Sequence, residues 1–281
     1  MTIEKSQNPQ LEKIQSKNKK MELFSPKYLR EQINLPKSRW NEDFKKLIEE
    51  KTKENQDERT NGITESPDVL SERTFKRYMN GLGMDERALK DKKVLDLGSG
   101  DGEFVRLLIE RGITSDAYGI DAQLEKDTIE NKFEGHFIEG NFEEDLPIKN
   151  NNYIVSVGAV SNGIWGDEEV MDIKRIIEKS FDSLKRGGEM RIYPIQEVAY
   201  ATPLEGLQES IKKWGELLKE ISETRGIEYK IEPRDIRVVG RNNDIILESV
   251  LIMKKRIMVS KPHTPPPNAE FFFPNPYILT I

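Results

Sequence analysis

The stretch KKVLDLGSGDGEF, Lys92 to Phe104, gathers the residues of this sequence best placed to do chemistry. An acid, Asp96, stands inside the apolar run Val94, Leu95, Leu97, and glycines follow at 98, 100 and 102. Glycine accepts positive φ and lets a ligand touch the main chain, so a turn of this composition at the carboxyl end of a strand is a binding crevice. A dinucleotide fingerprint read from Gly98 would require glycine at residue 103, where this chain has Glu103. That carboxylate, with Asp101 beside it, would repel a pyrophosphate held at the helix N-terminus. The acids suit a ligand whose nearby groups are ammonium and hydroxyl. The sequence has no cysteine, which removes disulfides and thiolate nucleophiles. Its only histidines, His136 and His263, are far apart, so metal chemistry would be carboxylate-based, and no metal site is expected.

Asp96-Leu97-Gly98-Ser99-Gly100-Asp101-Gly102 resembles the first motif, acid-x-G-x-G-x-G, of the class I S-adenosylmethionine-dependent methyltransferases and matches all its defining positions. The resemblance implies S-adenosyl-L-methionine as cofactor and assigns further residues in order. Asp121, 25 residues after Asp96 and followed by Ala122, matches the acid that accepts from both ribose hydroxyls. Asn141 and Phe142 in HFIEGNFEEDLP match the adenine-contacting pair, with Asn for the commoner Asp, and a side-chain carbonyl can still accept from an exocyclic amine. Gly158, in the segment Ser156 to Ala159, falls where the family's main chain passes the methionine part. SLKRGGEMRIYPI resembles the L-K-P-G-G turn before the fifth strand, with Arg186 in place of proline. The resemblance spans roughly residues 70 to 255.

Methyl transfer is an in-line displacement, so the protein has mainly to align a nucleophile about 3 Å from the methyl group and exclude water. Tyr193, Asn162 and Glu197 are the candidate bases or acceptor contacts, and Trp165 reads as lid or core. The fourth strand ends in SVGAVSN and lacks the [N/D/S]-P-P-[Y/F/W] element with which base-amine methyltransferases hold a flipped base. The expected reaction is therefore methyl transfer to an N or O atom of a small molecule. Two alternatives stand beside it: a protein or RNA methyltransferase docking through its N-terminal extension, and a non-catalytic binding module retaining the fold. His136 reads as a packing residue.

These residues must be positioned by alternating strands and helices. Strands are expected at 93–97, 117–120, 135–139, 152–157, 189–195, 228–232 and 245–254, with helices at 101–111, 123–131, 167–185 and 205–224. This is an α/β fold: a doubly wound, mostly parallel seven-stranded Rossmann-like sheet with an antiparallel C-terminal hairpin. Before it, SPDVLSERTFKRYMNGLG reads as a glycine-ended helix with Leu70, Phe75, Tyr78 and Met79 buried. Three parts follow: a polar, partly disordered and helical extension over 1–65, the cofactor-binding domain over 66–258, and a Pro/aromatic tail over 259–281. In the extension, Trp40, Phe44, Leu47 and Ile48 fall on one helical face. The tail, with Phe271, Phe272, Phe273 and Tyr277 between prolines, is expected to dock on its own domain or a second subunit, so a homodimer is possible through it. No apolar run approaches the roughly 18 residues of a spanning helix, and the N-terminus lacks a signal peptide's apolar centre, so the expected location is cytoplasmic. A formal net charge of -6 argues mildly against nucleic acid as partner.

Overall fold

Val94–Leu97 forms β1, and all four of its residues are buried, as the continuous apolar run of a central parallel strand requires. The computed structural model describes residues 26–61, 66–124, 131–165, 168–169, 171–200, 207–239 and 244–256. The body of the helix expected at 123–131 and the whole tail lie outside them.

β1 pairs in parallel with β2, Ala117–Asp121, on one side and with β4, Asn151–Val157, on the other. β3, Phe137–Glu139, continues the parallel pairing beyond β2, and β5, Leu184–Tyr200, continues it beyond β4. β7, Asp244–Lys254, runs antiparallel to β5, and β6, Tyr229–Val239, antiparallel to β7. The seven-stranded order is β3-β2-β1-β4-β5-β7-β6. The chain thus winds outward from β1 in one direction through β2 and β3, then returns and winds the other way from β4. The switch falls between β1 and β4, and the space outside their carboxyl ends is where open α/β sheets bind ligands.

One face of the sheet is covered by α3, Pro67–Leu82, and α4, Glu103–Glu110, through Phe75, Tyr78, Met79, Phe104 and Leu108. α3 is closed by Gly83 in the left-handed conformation, the glycine stop expected of it. Leu70 is only half-buried. The other face is covered by α5, Ile173–Ser183, and α6, Leu207–Arg225, through Ile176, Ile177, Trp214, Leu218 and Ile221. α5 is shorter than expected. A two-stranded ribbon, Ile164–Trp165 with Glu168–Glu169, precedes it, and the Asp172 carboxylate caps it by accepting from the Arg175 N–H at 2.9 Å.

β5, β6 and β7 overrun the expected strands, and residues 233–239, read as the approach to a turn, are strand. Two helices explain the extension. α1, Pro26–Ile33, and α2, Glu42–Asn61, supply Leu29, Ile33, Phe44, Leu47 and Ile48, which cover Ile236, Val238, Ile245 and Leu247 on the outer part of the hairpin. Trp40, just ahead of α2, meets Phe44 edge-on with ring centroids 5.1 Å apart. Pro233 is tolerated because β6 is an edge strand and its register shifts between Pro233 and Asp235.

Candidate functional site

The glycine turn closes tightly on the end of β2: the Gly98 and Ser99 N–H groups both donate to the Ile120 carbonyl, at 2.8 and 3.2 Å. The three glycines do different work. A Cβ on Gly98 would overlap the Ala159 methyl, and one on Gly102 would overlap the Phe137 ring. A Cβ on Gly100 would meet nothing within 4 Å, and there φ is +52°. Packing therefore accounts for Gly98 and Gly102, and Gly100 is the bare main chain that faces open space.

Two buried polar side chains beside this turn are unsatisfied by the chain. Asp96 on β1 is 0% exposed, and neither carboxylate oxygen has a hydrogen-bond partner among the protein atoms. The Ser99 hydroxyl is likewise buried without a partner, pressed against Gly119, where a Cβ would lie 2.6 Å from it. Native chains rarely leave such groups orphaned, and those that are orphaned mark ligand, water or ion positions. Burial pushes the Asp96 carboxyl up to about 8, and the Asp121 charge adds to the rise, while the Tyr78 hydroxyl opposes it. An ammonium group would supply the counter-charge that this carboxyl lacks.

Asp121, half-buried at the end of β2, ties its own strand to the turn. One of its oxygens accepts from the Gly100 N–H and the other from the Gln123 N–H, each at 2.8 Å. This fixes the carboxylate over the bare glycine and leaves lone pairs on both oxygens for further donors. Ala122 next to it is exposed. Asn141, exposed after β3, uses its side-chain oxygen to accept from the Glu143 N–H at 2.9 Å. Phe142 is buried in the cluster with Leu95, Leu97 and Ile120. One ring carbon lies 3.7 Å from where a Gly98 Cβ would be.

At the end of β4, Gly158 donates to the Tyr193 carbonyl at 2.8 Å. The Asn162 amide nitrogen, on an exposed turn, lies 3.9 Å from where a Gly158 Cβ would be. Ser156 joins this turn to β1: its hydroxyl donates to the Leu97 carbonyl at 2.9 Å and accepts from the Val160 N–H at 3.1 Å. Asp96, Gly98, Ser99, Gly100, Gly102, Asp121, Asn141, Phe142 and Gly158 thus sit on the ends of four adjacent parallel strands or the turns that follow them.

Tyr193 does not fit the base expected there. Its ring is buried beside Gly81 of α3, and its hydroxyl donates to Glu248 at 2.7 Å. Burial and the Glu248 charge hold that hydroxyl far above its usual range, so it cannot take up an acceptor's proton. Glu197 lies on β5, and its side chain, like that of Trp165, lies outside the described residues. The His136 Nδ1 meets the Ala117 carbonyl at 2.8 Å, a packing role. Two contributors were not singled out from sequence. Tyr78 was read only as a buried contact, and Ser156 carried no signal beyond its place at a strand end. Among the described residues no group of three or more His, Asp or Glu side chains is placed to hold a metal ion.

The strand order and the glycine turn define a Rossmann-like methyltransferase fold. No family model matches the sequence, and no curated protein matches it. Among solved structures the chain is similar to phosphoethanolamine N-methyltransferase 2 of Haemonchus contortus in complex with S-adenosyl-L-methionine, at 14% identity and a TM-score of 0.43. That match covers 66% of this chain and 53% of the other, so it spans about half the length of that enzyme. A putative S-adenosyl-L-methionine-dependent methyltransferase from Methanococcus maripaludis matches at 17% identity and a TM-score of 0.41, over 67% of this chain and 86% of its own. The N-methyltransferase NodS of Bradyrhizobium japonicum, in complex with S-adenosyl-L-homocysteine, matches at 12% identity and a TM-score of 0.39, over 66% and 86%. The assignment of the fold rests on this chain's own strand order.

Proposed function

We propose that this chain is an S-adenosylmethionine-dependent methyltransferase that methylates an N or O atom of a small molecule. The observation that carries the reading is the buried, unpartnered Asp96 carboxyl beneath a bare glycine, with Asp121 held over the same turn. In this reading Asp96 receives the cofactor's ammonium, and Gly98, Ser99, Gly100 and Gly102 supply main chain and hydroxyl around its amino-acid part. Asp121 accepts from the ribose hydroxyls, with Ala122 beside it, and Asn141 and Phe142 hold the adenine. Gly158 lines the side toward the acceptor. S-adenosylmethionine supplies an electrophilic methyl group on a sulfonium sulfur. The chain's share of the chemistry is alignment and exclusion of water, and Asn162, beside Gly158, is the acceptor contact this reading favours.

A small acceptor is favoured over RNA by charge. Asp101, Glu103, Asp121 and Glu139 all stand at the carboxyl ends of β1, β2 and β3, where a polyanion would be repelled.

The test has two arms. S-adenosylhomocysteine should raise the melting temperature of the purified protein, as any ligand selective for the native state does, and Asp121→Ala should remove most of that rise. No rise at millimolar ligand would sink the cofactor assignment. The purified protein should then transfer radiolabelled methyl from the cofactor into the filtrate of a cell extract. Label retained with protein or RNA instead would overturn the choice of acceptor.

A further inference from the structure

The turns that follow β1 and β4, on either side of the switch in strand order, are joined by one buried side chain. Ser156 is the penultimate residue of β4 and is 0% exposed. Side chains alternate along a strand, so Ser156 takes the face of Ile154, which Leu95, Leu97 and Val160 also line. There its hydroxyl uses both of its capacities on main chain. It donates to the carbonyl of Leu97, the residue before Gly98, at 2.9 Å and accepts from the Val160 N–H at 3.1 Å.

The Val160 bond takes the place of a cap. Val160–Gly163 is a single turn of 3-10 helix, whose first N–H groups find no partner inside it, and Ala159 ahead of it supplies no side-chain cap. Tyr193 holds the same turn from β5: its carbonyl accepts from the Gly158 N–H at 2.8 Å and from the Ser161 hydroxyl at 3.3 Å. Of these bonds only those of Ser156 reach β1. The Ala159 methyl presses on Gly98 where a Cβ would stand, so the height of the β4 turn sets how closely the two turns approach.

We propose that Ser156 is a positioning residue of the cofactor site, whose hydroxyl fixes Gly158 and Ala159 against the glycine turn at the separation the cofactor's amino-acid part requires. The inference rests on the methyltransferase reading above, in which Gly98 and Gly158 border that part. Without the hydroxyl the buried Val160 N–H loses its partner. The turn must shift to satisfy it, and the space between the two turns changes with it. Asp121, Asn141 and Phe142, assigned to the nucleoside, stand at or just after the ends of β2 and β3 and make none of these bonds.

The experiment titrates the full chain, Ser156→Ala and Ser183→Ala with S-adenosylhomocysteine and with 5′-methylthioadenosine, which keeps the nucleoside and lacks the amino-acid part. Urea melts record stability alongside. Ser183 is the control, a buried serine at the opposite end of β4. Its hydroxyl donates to the Ile148 carbonyl at 3.1 Å and accepts from the Asn151 side-chain amide at 3.0 Å, an equivalent pair of bonds. Both variants should lower the urea midpoint. Ser156→Ala should raise the dissociation constant of S-adenosylhomocysteine several-fold and leave that of 5′-methylthioadenosine at the wild-type value, and Ser183→Ala should change neither. If Ser156→Ala does not fold, Ser156→Cys, which keeps a weaker donor and acceptor in place, replaces it with the same pattern expected. Unchanged S-adenosylhomocysteine affinity in the Ser156 variant, an equal loss for both ligands, or an equal loss in Ser183→Ala would overturn the role of Ser156. Failure of the wild type to bind S-adenosylhomocysteine would instead overturn the methyltransferase reading.

Discussion

Gly98, Gly100 and Gly102 are indistinguishable in the sequence, but alanine at each should fail in a different way. All three have positive φ, and in addition Gly98→Ala drives a methyl into Ala159 and Gly102→Ala drives one into Phe137, so each of these two should lose about 1–3 kcal/mol to overpacking beyond the backbone strain. Gly100→Ala has room, and its strain is limited to the positive φ, about 1–2 kcal/mol. It should nevertheless weaken S-adenosylhomocysteine binding the most per unit of stability lost. Urea melts with ligand titrations on the three variants would check this, and equal ratios would show that Gly100 does not face the ligand. Asp96 gives a second expectation. Its carboxyl titrates at about 8 in the folded chain, against about 3.9 when unfolded, so the folded state binds the extra proton between these values. Its contribution to stability is therefore fully present below about pH 4 and is lost as pH rises through about 8. Without ligand the wild type should lose stability on going from pH 6 to pH 8.5, and Asp96→Asn should flatten that loss, as urea midpoints against pH would record. The motif spacing made Asp96, Asp121 and Phe142 legible as a set. That Asp96 would be wholly buried is not legible there, because its burial depends on α3 and α4 closing the face of β1 that it shares with Val94, opposite the face of Leu95 and Leu97.

At the scale of elements, periodicity found the strands that are covered on both faces and misjudged those whose cover comes from afar. β1 and β4 are central, and their apolar runs sufficed. The expected strand stops at residue 232 because EPRDIRVVGRNND reads as the connection, with Gly240 and Asn242 to Asp244 suiting a turn, yet Ile236 and Val238 are strand residues once α1 and α2 lie on them. The stripe Trp40, Phe44, Leu47, Ile48 was legible in sequence, but its partner was not, since roughly 190 residues separate α2 from the surface it covers. Tyr193 failed for a related reason. Side chains alternate along a strand, so Ile192 joins the cluster under α5 and α6 while Tyr193 joins the one under α3. Position at a strand's carboxyl end does not reveal which face a residue takes, and Glu248, the partner that occupies its hydroxyl, lies on β7, 55 residues away.

For the whole molecule, the arrangement separates the part that binds from a part that supports. The cofactor residues are carried by β1, β2, β3 and β4 and the turns after them, whereas α1 packs on β5 and β7 and α2 on the edge strand β6. Deleting residues 1–61 would uncover Ile236, Val238, Ile245 and Leu247, all buried beneath those helices. Burial of a side chain of this size is worth about 1.5–3 kcal/mol, so the four together represent a substantial share of a domain's marginal stability. The deletion should therefore lower the melting temperature clearly and favour self-association through the uncovered hairpin. Yet the fraction that remains monomeric should keep its affinity for S-adenosylhomocysteine, because α1 and α2 pack on β5, β6 and β7 and the residues assigned to the cofactor are carried by β1 to β4 and the turns after them. Sedimentation, melting and ligand titration on the shortened chain separate the two effects. Loss of cofactor affinity in a folded monomer would show that the outer hairpin and its helices hold the crevice in shape across the width of the sheet, and that the molecule does not divide at β5 as the strand order implies.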